Sequence, residues 1–184
     1  MKRAIVAPPS LAPAALAELK AWLGITTGRD DAELTALLMA SLDLCEGFTG
    51  SMPLQAGCEE VLVATGDWQT LSTRPVQSMT RAARIAATGQ RTELPAGSYE
   101  YDIAADGTGR FRLAAPIDET RVAVTFTAGL AATWDALPDP LRHGIMRLAA
   151  HEHRLRDAER APQSSAPPAA VAALWRPWRT MRLA

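Results

Sequence analysis

The residues best suited to chemistry in this 184-residue chain gather in its last third. His143, His151, Glu152 and His153 are the natural candidates for a metal centre or for acid–base work. Their spacing argues against it. A zinc hydrolase of the common helical type needs two His at i and i+4, with Glu beside the first. His151 and His153 are two apart, so on a helix they point about 200° from one another. Cys45 and Cys58 are too few for a four-ligand zinc site or a disulfide framework. They read as reduced, partly buried thiols. The segments TGRDD and DGTGR contain Gly but match neither a P-loop nor a dinucleotide fingerprint. No Ser sits in a nucleophile elbow. Asp30, Asp31 and Glu33 are accounted for as the charges that favour a helix start. No enzyme activity is expected, and no catalytic, metal or cofactor-binding residue.

The elements that would carry these residues follow from periodicity. Ser10 precedes LAPAALAELKAWLG, with Pro13 in the tolerant first turn and Gly24 at the end, which predicts a helix over 11–23. Asp30 with Glu33 reads as a capping box. Leu34, Leu37, Leu38, Leu42, Cys45 and Phe48 then recur at three and four, predicting a helix of about five turns that pairs with the first. From 57 to 130 the period shortens. Val61–Val63, Trp68–Leu71, Arg84–Ala86, Tyr99–Ile103, Arg110–Leu113 and Arg121–Thr127 read as short strands. An odd hairpin loop of three or five residues around Gly107 would set Ile103 against Phe111 and Asp102 against Arg112, keeping apolar with apolar. Asp139-Pro140 opens a helix running to about 160, with Glu152 on its apolar stripe. APQSSAPP (161–168) is a linker, and a short helix, Ala169–Arg176, stops at Pro177.

These elements predict an α+β chain that is mainly helical. It would be a bundle of two N-terminal helices and a long C-terminal helix, with a β-strand insertion and an extended C-terminal tail. The divisions fall at 1–56, 57–130, 131–160 and 161–184.

Charge and composition bound the function. The net charge of −1 divides into −6 over residues 1–139 and +5 from residue 140 onward. Ala contributes 36 residues and the aromatics only 10, so the core needs thin helices and a few large anchors. No apolar run reaches the roughly 18 residues of a membrane span. Pro8, Pro9 and Pro13 interrupt the Ala-rich start, which sets a signal peptide aside. Arg142, Arg147, Arg154, Arg156 and Arg160 could serve a DNA-binding module, but they do not form one stripe. Two of the five Trp lie in the last ten residues, among Arg and without an acid. Trp and Arg are favoured interface anchors, so this tail reads as a docking peptide on a linker. The alternative is that it folds back on its own helices.

The arrangement as a whole resembles the head–tail connector (adaptor) proteins of long-tailed bacteriophages and phage-like gene transfer agents. LAELKAWLGIT…DDAELTALLMASLDLCEGFTG is similar to the family's opening helices. VAVTFTAGL with LPDPLRHGIMRLAAHEHRLRD is similar to its "V-T-F-x-A-G…P-x-x-L-R-x-A-I" passage, and LWRPWRTMRL to its terminal "L-x-x-[YW]-R" signature. The resemblance implies a structural particle protein without cofactors. It implies a ring of this chain, usually twelve copies, beneath a portal protein, with a stopper or tail terminator on its other side and genomic DNA passing through the channel. It places portal docking on Leu174, Trp175, Trp178, Arg179, Arg182 and Leu183. Glu152 and His153 depart from the family pattern while Arg156 keeps it, which makes Glu152 and Arg156 candidates for a polar subunit interface.

Overall fold

The computed structural model describes residues 3–157 and 166–179. In chain order its elements are β1 (Arg3–Ala7), α1 (Pro13–Leu23), α2 (Asp31–Thr49), β2 (Ala56–Val63), β3 (Gln69–Thr70), β4 (Val76–Ile85), β5 (Arg91–Glu93), β6 (Tyr99–Ile103), β7 (Gly109–Leu113), β8 (Arg121–Ala128), α3 (Asp139–Asp157) and α4 (Ala169–Trp175). Single 3-10 turns cover Trp134–Ala136 and Arg176–Trp178. The chain forms two compact units. One is β-rich and takes the chain up to Pro9 plus Gln55–Gly129. The other is helical and takes Ser10–Leu54 plus the chain from Leu130 on.

The expectation of a mainly helical bundle is overturned. The described residues hold four helices but also eight strands in two antiparallel sheets, so the fold is α+β without helical dominance. The reason lies in strands that carry little alternation. β4 has two register shifts, which scramble its period of two, so only its last residues look like a strand in sequence. β5 is three polar or charged residues long. β1 lies in the Ala-rich start, ahead of the prolines, where the sequence predicts no strand.

In the β unit, the five-stranded sheet runs β1-β2-β8-β4-β5 and the three-stranded sheet β3-β7-β6. β8 is paired on both sides, to β2 and to β4. Central placement buries Val122, Val124 and Phe126, and the intervening Ala123 as well. Glu60 on β2 is fully buried. Its carboxylate accepts four hydrogen bonds, from the Ser72 and Thr73 backbone N–H groups (2.9 and 2.8 Å) and from their hydroxyls (2.8 and 2.7 Å). A buried charge needs that degree of satisfaction.

The β6–β7 hairpin has the five-residue loop 104–108, within the expected length. Its register sits two residues away from the expected one. Tyr101 opposes Phe111, Glu100 opposes Arg112 and Asp102 opposes Arg110. The slip preserves face parity, so apolar residues still meet across the strands. The loop sets the register. Asp106 accepts from the Thr108 N–H and hydroxyl, both at 2.9 Å, and Gly107 takes φ 77°. The same two bonds hold the Asp106 carboxyl below its ordinary range.

The helical unit is built on Leu19, Leu34, Leu38, Leu42, Cys45, Trp134, Leu141, Ile145, Leu148 and Trp175, all buried in one cluster. Trp134 is fully buried and donates its indole N–H to Glu18 at 2.8 Å. Lys20 reaches Asp31 at 2.6 Å, tying α1 to the start of α2. Two expected caps are not used. α1 begins at Pro13, with Ala12 rather than Ser10 as its cap, and Asp30 makes no side-chain cap bond. Proline at the first helical position suffices, because its missing N–H needs no partner there.

Candidate functional site

The C-terminal segment is where sequence and structure meet most directly. α4 packs on α3 and touches α2. Trp175 is fully buried at the end of α4. Its indole lies over Gly144 of α3, where a Cβ would meet ring atoms Cδ1 and Cε2 at 2.8 and 2.9 Å. The indole N–H points at the Leu141 carbonyl, 3.4 Å away. Phe48, near the end of α2, tilts against the Trp175 ring with centroids 5.9 Å apart. Three helices thus converge on one side chain. A Gly in mid-helix normally costs stability, so its presence at 144 is the local signal for a close approach.

The other expected docking residues are distributed around this anchor. Leu174 and Trp178 are half-buried, packed against the helical core. Arg179 is exposed, and its guanidinium lies 5.5 Å over the Phe48 ring. Arg182, Leu183 and the Arg156 side chain lie outside the described residues. Beside Phe48 an open groove of about 380 Å³ is lined by Asp43, Leu44, Gly47 and Pro167. Leu44 is among the exposed large apolar residues.

Glu152 does not join the apolar stripe. It is exposed on the last turns of α3, after burial ends with Ala150. His143 is occupied structurally, edge-on to the exposed Trp22 ring at 5.4 Å. Among the described residues no group of three His, Cys, Asp or Glu side chains could hold a metal ion. No helix there is long and apolar enough to cross a membrane.

The β unit also exposes large apolar residues that sequence reasoning missed. Ile5 and Val6 on β1, Val63 on β2, Trp68 before β3 and Tyr101 on β6 are all exposed. Arg112 lies 4.6 Å over the Trp68 ring and bonds Glu100 at 2.6 Å. The signal available was the alternation-free AIVA run of β1, which has no charge to protect a strand edge.

No protein-family model and no curated protein matches the sequence. Solved structures do. The chain is similar to a chain in the neck of an empty gene transfer agent particle computed with C6 symmetry. The identity is 30%, the TM-score 0.78, and the match covers 100% of this chain and 98% of that one. A chain of the neck of the native particle computed with C12 symmetry matches at 31% identity and TM-score 0.74, with the same coverage. A chain of the native gene transfer agent virion matches at 30% identity and TM-score 0.74. The chain belongs to the neck proteins of phage-like particles. As a neck protein it is a structural component of the head–tail junction of a phage or gene transfer agent particle.

Proposed function

We propose that this neck protein is the adaptor that joins portal to tail. Twelve copies form a ring beneath the portal, a stopper or tail terminator binds the opposite side, and genomic DNA passes through the channel. The observation that carries this reading is the end-to-end likeness to chains of symmetric particle necks. A ring of this kind closes through one heterologous contact repeated by rotation. An excess of acid over residues 1–139 suits a body near DNA that must slide, since tight DNA binding comes from phosphate neutralisation.

Docking to the portal rests on the C-terminal segment, with a division of labour. Trp175 is the fixed point, held in the subunit by Gly144 and Phe48. Trp178 and Arg179 present the contact, supported by Leu174 and continued by Arg182 and Leu183. Glu152, exposed on α3, meets the neighbouring subunit together with Arg156.

The test is a Trp178→Ala/Arg179→Glu double variant, which spares Trp175. It should lose portal co-purification while keeping the wild-type far-UV spectrum and a cooperative, modestly lowered melt. Undiminished portal association would overturn the docking assignment. Deleting the chain after Ser165 is the poorer experiment, because it also removes Trp175 from the core.

A further inference from the structure

We infer that the ring is closed by strand addition, β1 of one copy pairing antiparallel with the open edge of β6 in the next. This rests on the ring reading above.

The first observation is a free edge. β1 is the outermost strand of its sheet, and among the described residues it pairs with β2 alone. Ala4, Ile5, Val6 and Ala7 are all exposed, so apolar side chains stand open on both faces. Stable subunits blunt such edges with charges, prolines, bulges or a covering element. β1 has Arg3 at its start and a register shift between Ile5 and Ala7, and its apolar side chains stay exposed all the same.

The second observation is a matching edge elsewhere. β6 is the outer strand of the smaller sheet and pairs with β7 alone among the described residues. It is five residues long, like β1, and Glu100, Tyr101 and Asp102 are exposed. β6 packs near β4, whereas β1 is separated from β4 by β2 and β8. The two free edges therefore belong to different sheets of the unit. A heterologous contact joins two different surfaces, and this is such a pair.

Charge selects the direction. β1 begins at Arg3, preceded by Lys2 in sequence, and β6 ends at Asp102-Ile103. Antiparallel pairing brings the basic start of β1 to the acidic end of β6, with Arg3 opposite Ile103 and Ala4 opposite Asp102. It sets Ile5 against Tyr101, both about half exposed in the single subunit (45% and 52%). Cross-strand pairs of this aliphatic–aromatic kind are favourable.

Disulfide trapping in assembled necks tests the contact. Directly opposed residues of an antiparallel pair have Cα atoms about 4.5–5.5 Å apart, within disulfide reach. The native Cys45 and Cys58 are buried and do not compete. Ile5→Cys/Tyr101→Cys, with Ala4→Cys/Asp102→Cys for the alternate pair geometry, should give a non-reducing ladder of multimers that reductant collapses. A ladder from neither double variant, in samples where microscopy shows a ring, would overturn the strand contact and leave the ring standing. Covalent dimers from Ile5→Cys alone would also overturn it, by showing β1 against β1. If microscopy shows no ring, the adaptor reading falls and the contact with it.

Discussion

The indole of Trp175 occupies the space that a side chain at Gly144 would fill. The C-terminal helix is thereby locked to α3 by the absence of a single methyl group. In a solvent-facing helix, Gly→Ala stabilises by about 1 kcal/mol. Here the sign reverses. Gly144→Ala should destabilise the protein by about 1–3 kcal/mol through overpacking. Trp175→Ala should cost about 3–5 kcal/mol. Urea unfolding measures both, and protease cleavage between α3 and α4 should accelerate in each.

Glu60 makes a second prediction, in the β unit. All four of its bonds come from Ser72 and Thr73, three of them to one oxygen, Oε1. Glu60→Ala strands those donors and should cost at least about 3 kcal/mol, as hydrogen bonds to charged groups do when broken in the interior. Glu60→Gln keeps one acceptor but faces the Ser72 N–H with an amide donor, and should lose about 1–2 kcal/mol. Chemical denaturation distinguishes the two. Equal stability of Glu60→Ala and wild type would show that the latch is energetically idle.

Burial pushes the Cys45 thiol up from 9.0 to about 12, with the neighbouring Glu46 charge acting in the same direction. The folded state therefore keeps a proton that the unfolded chain releases above pH 9. Its contribution is fully present below pH 9 and is lost as pH rises towards 12. The slope in that window should be about 1.4 kcal/mol per pH unit. Cys45→Ala should flatten this component when melting is compared at pH 8 and pH 10.5. Unchanged pH dependence in the variant would contradict the assignment.

The helices were legible because their apolar residues recur at three and four over many turns, as Leu34, Leu38, Leu42 and Cys45 do. β6 could be read to the residue because turn chemistry at Asp106-Gly107 bounds it. β4 could not, since its bulges displace the alternation of VQSMTRAARI. β1 was hidden for a different reason. Its side chains are exposed in the subunit, so no burial pattern marks it. The same principle applies to the C-terminal segment. Composition singles out Trp175 and Trp178 together, but only the fold separates a core anchor from a half-exposed neighbour.

The proposed ring of this chain between portal and tail is open to direct imaging. Cryo-electron microscopy of particles assembled with this chain should show density for twelve copies in a ring at the head–tail junction, each C-terminal segment reaching the portal from an anchor at Trp175. Necks in which this density is absent, or in which the chain sits away from the portal, would contradict it.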